Sequence, residues 1–163
     1  MNLDHYDLDK LLLSAMKSEI ESKEVYIKLS EKTENGLLKD KLKFLAGEEE
    51  KHRLFIEYLY KNHYPDEKIE MPDKSPVPLP GVDLSEDTQL SKLLKQAMEA
   101  EQVASDFYKS LADRFENGSK IHNTLIYFAD MEIGHYKILE TEKQSMERYE
   151  ESDVYWPMTH VGP

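Results

Sequence analysis

Residues 44–52 read FLAGEEEKH and place Glu49 and His52 three positions apart within a strongly helical run. Residues 128–135 read FADMEIGH and repeat that spacing with Glu132 and His135. Because residues three apart on an α-helix lie on the same face, each pair directs a carboxylate and an imidazole the same way. Two Glu-x-x-His pairs on separate helices predict a dinuclear metal site inside a helical bundle.

Four helices are predicted from apolar residues that recur at steps of three and four. The first and third helices share the order Leu, Leu, Ala, Glu, Tyr, Leu, with Glu19 and Glu101 where an apolar residue is expected. The second and fourth helices match each other around the two Glu-x-x-His pairs. The offset is 82 residues between glutamates 19 and 101 and 83 between glutamates 49 and 132, which indicates a duplicated helical hairpin.

The helices are expected at about residues 8–33, 37–62, 87–116 and 119–148. Prolines at positions 65, 72, 76, 78 and 80 predict a non-helical connection over residues 63–86. Fully extended, such a segment reaches about 80 Å, about twice the length of one of these helices. The expected fold class is therefore all-α: a ferritin-like four-helix bundle over residues 1–150, with two hairpins joined by a long crossover that makes the second and third helices parallel. Residues 151–163 are expected to form a non-helical tail that packs on the bundle or on a neighbouring subunit.

The composition excludes several other classes of protein. A formal net charge of −12 without a basic stripe argues against nucleic acid and anionic membrane surfaces as partners. The absence of cysteine excludes disulfides, thiolate metal sites, iron–sulfur clusters and thiol nucleophiles. The first residues do not resemble a signal peptide, and no apolar run is long enough to span a membrane, so a cytoplasmic location is expected.

Six polar residues fall at predicted core positions of matching height: Glu19, Glu49, His52, Glu101, Glu132 and His135. Four buried carboxylates without compensation would cost several kcal/mol each, on the order of a small domain's whole stability. Two divalent cations would balance their four negative charges while the imidazoles stay neutral. Oxygen and nitrogen donors without thiolate favour iron or manganese. A single Glu-x-x-His would more often be solvated helix surface, but six such residues in duplicated register favour the metal site.

Tyr26 and Tyr108 stand seven residues after Glu19 and Glu101, on the same helical faces. Their hydroxyl groups could donate hydrogen bonds to ligand carboxylates across the bundle. Alternatively, the two tyrosines are core aromatics that need only some partner for the hydroxyl group.

Over about residues 8–145, these motifs resemble the rubrerythrin branch of the ferritin-like superfamily. The resemblance implies a non-haem diiron centre whose ferrous form reacts with hydrogen peroxide or dioxygen, with Glu49 and Glu132 bridging and Glu19 and Glu101 terminal. Rubrerythrins typically carry a C-terminal rubredoxin domain with four cysteines, and a further glutamate where this chain has Ala104. The chain therefore resembles a stand-alone diiron domain of the family.

The leading hypothesis is an oxidoreductase with two iron ions that reduces hydrogen peroxide or dioxygen with an external electron donor, for which a rubredoxin-like protein is one candidate. A ferroxidase or iron-handling protein without dedicated peroxidase turnover is the alternative. A structural bundle that binds adventitious metal and a catalase-like manganese protein stay open as further readings. The family resemblance also implies a homodimer.

Overall fold

A computed structural model describes residues 1–75, 77, 79–85 and 88–155, with side chains described as far as Arg148. Within these residues the chain forms four helices and no strand: α1 (Leu8–Lys32), α2 (Gly36–His63), α3 (Leu90–Ala112) and α4 (Lys120–Tyr155). The predicted all-α fold class is confirmed. In the part of the chain so described, no helix is both long enough and apolar enough to cross a membrane.

The short turn after α1 makes α1 and α2 an antiparallel hairpin. Asn35 caps α2 by accepting a hydrogen bond of 3.1 Å from the backbone N–H of Leu38. Lys23 of α1 forms an ion pair with Glu50 of α2 at 3.0 Å, which brings the middle of one helix beside the middle of the other. The helices α3 and α4 pack along each other as the second hairpin.

The contacts between α1 and α3 fix the relative direction of the two hairpins. Tyr26 contacts Glu101, and Glu19 contacts Tyr108, so residue numbers rise along α1 as they fall along α3. Since α1 is antiparallel to both α2 and α3, α2 and α3 are parallel. The ferritin-like bundle with its long crossover is confirmed by this arrangement.

The described residues of the crossover (64–75, 77, 79–85 and 88–89) contact both ends of the bundle. Ile69, Val77 and Leu79 pack on the apolar cluster formed by the start of α1, the ends of α2 and α3 and the start of α4. Val82 and Leu84 pack on the cluster at the opposite end. Burial of these side chains holds the connection against the bundle surface.

The core therefore consists of two apolar clusters with a polar layer between them. Leu11 and Leu59 belong to one cluster, and Leu29 and Leu42 belong to the other. The residues of every helix that lie between the two clusters include the glutamates and histidines of the predicted metal site. The apolar clusters above and below position this layer and exclude solvent from it.

The helix α3 is shorter than the predicted range of 87–116. Before it, the backbone N–H of Thr88 bonds to the carbonyl of Ser85 at 3.2 Å, and their hydroxyl oxygens lie 2.6 Å apart. These local hydrogen bonds compete with the backbone bonds that an earlier start of helix α3 would require. After it, the N–H groups of Arg114 and Phe115 bond to carbonyls three residues back, which tightens the chain and ends the helix.

The helix α4 is longer than predicted and continues to Tyr155, so residues 151–155 of the predicted tail are helical. No glycine or proline interrupts the sequence between 148 and 155. The first helix-breaking residue is Pro157, which also disfavours helical geometry at the residue before it. The remainder of the predicted tail, residues 156–163, lies outside the described residues.

Candidate metal centre

The six residues predicted as metal ligands lie together in the polar layer, and all are at least 96% buried. They form two groups whose potential ligand atoms lie within 4.8 Å of one another. The first group is Glu19, Glu49, His52 and Glu132, and the second is Glu49, Glu101, Glu132 and His135. Glu49 and Glu132 belong to both groups.

The first group converges on the Nδ1 atom of His52. This nitrogen lies 2.9 Å from Oε1 of Glu132, 3.5 Å from Oε2 of Glu49 and 3.8 Å from Oε2 of Glu19. Neighbouring ligands of an octahedral ion with bonds of about 2.1 Å lie about 3.0 Å apart, and opposite ligands about 4.2 Å apart. The spacing of these atoms therefore fits the coordination shell of one divalent metal ion.

The second group repeats the first around His135. Its Nδ1 lies 3.0 Å from Oε2 of Glu132, 3.2 Å from Oε1 of Glu49 and 3.6 Å from Oε2 of Glu101. In both shared carboxylates, one oxygen approaches His52 and the other approaches His135. The two groups are thus related by an approximate twofold axis that exchanges the hairpins.

Several atoms in this layer lack a hydrogen-bond partner although they are fully buried: Glu49 Oε1, Glu132 Oε1, and both ring nitrogens of His52. The contact of 2.9 Å between His52 and Glu132 does not have the alignment of a hydrogen bond. Buried polar atoms without partners are costly and therefore rare. Because Nδ1 and both carboxylate oxygens point toward shared centres, the residues fit a pair of metal ions better than a network of protein hydrogen bonds.

Both predicted tyrosines contact the two carboxylates that belong to only one group each, those of Glu19 and Glu101. Tyr26 of α1 donates a hydrogen bond to Oε1 of Glu101 on α3, and Tyr108 of α3 donates one to Oε1 of Glu19 on α1. Each tyrosine is almost fully buried. The remaining oxygen of Glu19 and that of Glu101 face the histidine of their own group. The tyrosines therefore orient these two carboxylates.

A sequence model of the rubrerythrin family matches residues 10–153. The chain belongs to the rubrerythrin family. A solved structure of a hypothetical protein from Pyrococcus furiosus is similar, with 33% sequence identity, a TM-score of 0.78, and coverage of 90% of this chain and 94% of that one. No curated protein matches the chain. Rubrerythrins bind two iron ions, and the buried glutamate and histidine groups of this family member suggest the same kind of site.

The carboxyl groups of this rubrerythrin-family site are of two kinds, because the pKa is raised in two of them and lowered in the other two. Burial raises the pKa of Glu19 well above its usual value, and the Glu49 carboxylate raises it further. Burial and the Glu132 carboxylate do the same to Glu101. Burial also opposes ionisation of Glu49 and Glu132, but contacts with His135 and His52 hold the pKa of each below its usual value.

The pKa values of both histidines are raised. Burial alone would lower the pKa of His52, but the close approach of Glu132, Glu19 and Glu49 raises it to about 12. The carboxylates around His135 likewise raise its pKa far above its usual value against the effect of burial. In each histidine, the surrounding carboxylates thus favour the charged form, in opposition to burial.

One neighbour of the site was not predicted from the sequence. The ring of Phe128 packs on the imidazole of His52, with centroids 4.2 Å apart and planes inclined by 33°. At the repeat-related position, 83 residues earlier, the chain has Leu45. Phe128 lies one turn before Glu132 on the same helical face. From this spacing, the sequence could have predicted that its ring lies beside the site. The two halves of the site thus differ at this position, because the half with His52 has a phenylalanine contact where the repeat supplies a leucine.

A cavity of about 330 Å³ lies beside the polar layer, between α1, α3 and the crossover. Tyr26 forms part of its wall, together with Ser22, Val82 and Ala97. The hydroxyl group that contacts Glu101 therefore belongs to a side chain that also borders open space.

Proposed function

We propose that this rubrerythrin-family chain is a non-haem diiron oxidoreductase that reduces hydrogen peroxide, or dioxygen, with electrons from an external donor. One observation carries the proposal: Glu49 and Glu132 each present one oxygen to each ligand group. Two ions that share two carboxylates are close enough to act on the two oxygens of one small substrate. A single-metal structural site would not need that sharing.

The ligand assignment follows from the two groups. Glu19 and His52 would complete one site and Glu101 and His135 the other, with Glu49 and Glu132 bridging both. Two ferrous ions would supply two electrons, one each, so that peroxide and two protons become two molecules of water. The oxygen and nitrogen donors also suit manganese, which keeps a catalase-like manganese protein as a variant of this proposal.

The residues around the ligands exclude water and keep a proton in place. Tyr108 is buried, and burial together with the Glu19 carboxylate raises the pKa of its hydroxyl group well above its usual value. The hydroxyl group therefore stays protonated and keeps donating to Oε1 of Glu19. A fixed donor on each terminal carboxylate leaves the other oxygen free to bind metal.

A ferroxidase or iron-handling function is the second candidate. At position 104 the chain has alanine, where the resemblance to rubrerythrins would place a further glutamate. Without that carboxylate, a site that oxidises ferrous iron but does not reduce peroxide repeatedly is the second candidate.

The experiment that separates the two functions is anaerobic loading with ferrous iron followed by rapid mixing with either peroxide or dioxygen. The rise in near-ultraviolet absorption reports oxidation of the iron. Oxidation by peroxide that is at least about tenfold faster than by dioxygen supports the peroxidase function. Equal rates, or a faster reaction with dioxygen, support the ferroxidase function. The variant Glu49→Gln serves as the control, because it should lose the paired site and the signal with it.

Metal analysis of the protein as purified tests the proposal at an earlier step. About two iron or manganese ions per chain are expected. A fully stable protein with far less metal than this would instead support the structural bundle with adventitious metal.

A further inference from the structure

The cavity beside the polar layer is separated from the candidate metal centre by one side chain. Its volume is about 330 Å³, and Tyr26 forms part of its wall. The hydroxyl group of the same tyrosine donates a hydrogen bond to Glu101, and only 2% of the residue is exposed. The Tyr26 side chain therefore lies between the cavity and a carboxylate of the centre.

The walls of the cavity combine apolar and polar groups. Residues of α3 and the crossover contribute apolar side chains: Ala97, Ala100, Pro80, Val82 and Leu84. Ser18 and Ser22 of α1 contribute hydroxyl groups, as does Tyr26. Pockets for small molecules are typically lined in this way, with an apolar surface that holds the body of the ligand and a few polar groups that orient it.

The volume of the cavity exceeds what hydrogen peroxide needs. One water molecule accounts for about 30 Å³ of liquid, so a molecule with two oxygen atoms would leave most of 330 Å³ empty. Pockets that bind organic molecules have volumes of about 300 to 1,000 Å³. The space therefore suits a molecule that carries an organic group.

The duplicated bundle fills the repeat-related position with an aromatic ring. Val25 lines the cavity, and its repeat counterpart 82 residues later is Phe107. Phe107 is 2% exposed and packs edge-on against Tyr108, with ring centroids 6.0 Å apart. A phenylalanine ring thus packs beside Tyr108, whereas a smaller valine lies near Tyr26. The cavity accordingly lies beside the half of the centre that contains Glu101.

We propose that this cavity is a substrate pocket for a small, uncharged organic hydroperoxide. The organic group fills the cavity, and the O–O group lies at the Tyr26 hydroxyl group and reaches the layer when the Tyr26 ring moves aside. The inference rests on the proposed function and names a substrate class for the same centre. The O–O bond takes up two electrons, one from each ferrous ion, and two protons from solvent, and the products are an alcohol and a water molecule.

The charges near the cavity favour a substrate without charge. Its lining includes the exposed residues Glu21, Glu24 and Lys28, which sum to one negative charge. The whole chain has a formal net charge of −12. The resulting field repels anions, so a hydroperoxide that carries a carboxylate group should approach more slowly than a neutral one.

Binding of cumyl alcohol, the redox-inert product of cumene hydroperoxide, tests the pocket without any reaction. Isothermal titration calorimetry on the metal-loaded full chain measures the affinity. Val25→Phe, which introduces the residue found at the repeat counterpart, should weaken binding by at least about tenfold, because the ring fills the space for the organic group. Ile27→Phe, an exposed position on α1 that does not line the cavity, is the matched control and should bind like the wild type.

A single turnover of the ferrous-loaded protein tests the pocket as part of the reaction. The protein is mixed rapidly and anaerobically with either cumene hydroperoxide or hydrogen peroxide. Val25→Phe should slow oxidation by cumene hydroperoxide at least about tenfold and keep oxidation by hydrogen peroxide within about twofold of the wild type. Helical circular dichroism and the number of bound metal ions verify folding. If Val25→Phe does not fold, Ala100→Leu replaces it, with the same expected result.

The outcomes separate this inference from the proposed function. A wild type that reacts with hydrogen peroxide, but does not bind cumyl alcohol or does not react with cumene hydroperoxide, overturns the pocket and leaves the proposed function intact. Equal slowing of both oxidants by Val25→Phe overturns the pocket in the same way. A wild type that neither peroxide oxidises overturns the proposed function together with this inference.

Discussion

Tyr108 on α3 donates a hydrogen bond to Glu19 on α1, and the same contact recurs 82 residues away as Tyr26 donating to Glu101 in the reverse direction. Each tyrosine thus orients a carboxylate that belongs to the other hairpin. This exchange ties the geometry of both metal groups to the packing of α1 against α3.

Replacement of Tyr108 by phenylalanine should weaken metal binding in the group that contains Glu19. The carboxylate would lose its only described side-chain donor other than histidine, and loss of such a partner typically lowers metal affinity by about 10- to 100-fold. Titration with ferrous or manganous ion should show one weakened site and one unchanged site. Tyr60→Phe is the matched control, since the Tyr60 hydroxyl group contacts Glu67 at 3.3 Å, away from the layer. Equal loss at both sites in Tyr108→Phe would contradict the assignment.

Removal of a shared carboxylate should have a larger effect than removal of a terminal one. Glu49→Gln should abolish paired binding, because Glu49 contributes an oxygen to each group. Glu19→Gln should leave one metal ion bound in the group around His135. Metal analysis after dialysis gives the number of bound ions, and Glu99→Gln, an exposed position on α3, should retain both. Two ions in Glu49→Gln would show that the ligand assignment is wrong.

Metal loading should release protons. The pKa values of Glu19, Glu101 and His135 lie well above their usual values in the metal-free layer, and that of His52 is about 12. Groups with a raised pKa hold their protons more tightly, and those protons must leave when a metal ion binds, so the release of up to about four protons per pair of ions is expected. A pH indicator in weakly buffered solution measures the release during titration with manganous ion. Release of fewer than about two protons would mean that the layer is already deprotonated before metal binds.

The two histidines should make the metal-free protein lose stability as the pH rises above about 6.5. The pKa of His52 is raised from 6.5 in the unfolded chain to about 12 in the folded one, so its contribution is complete below pH 6.5 and is lost between those values. The loss is at most about 1.4 kcal/mol per pH unit for each histidine. Thermal unfolding at several pH values with and without metal measures it, and the loaded protein should show a flatter dependence.

The variant His52→Gln is the control for that pH dependence, because it removes one of the two histidines with a raised pKa and should reduce the slope. Glu49 and Glu132 act in the opposite direction. Their lowered pKa values give a contribution that is present above their usual pKa and is lost as the solution becomes more acidic. An identical slope for His52→Gln and the wild type would mean that the imidazolium of His52 does not stabilise the metal-free layer.

The sequence predicted the elements of the site because the departure from apolar periodicity occurred in duplicate. A single glutamate such as Glu19 within a helical stripe says little, but its repeat partner Glu101 and the two Glu-x-x-His pairs make the pattern specific. The positions of α1 and α2 could also be predicted from the sequence, since Asn35 and Gly36 mark the turn between them.

Other features depend on local backbone bonds or on tertiary contacts that periodicity does not contain. The early end of α3 depends on bonds to carbonyls three residues back. Periodicity places Glu49 and Glu132 on inward faces, but only the antiparallel packing of α2 and α4 brings one oxygen of each to both histidines. The contact of Phe128 with His52 likewise depends on how the helices pack.

The crossover has a consequence for the thermodynamics of assembly. Each hairpin carries a half-site of two glutamates and one histidine, and each metal group borrows one carboxylate from the other hairpin. As separate chains, the hairpins would have to meet by diffusion, and occupancy of the centre would fall on dilution. Residues 64–89 instead tether the halves at an effective concentration on the order of millimolar. Metal affinity is thereby uncoupled from protein abundance, and a cut within the tether would restore that dependence.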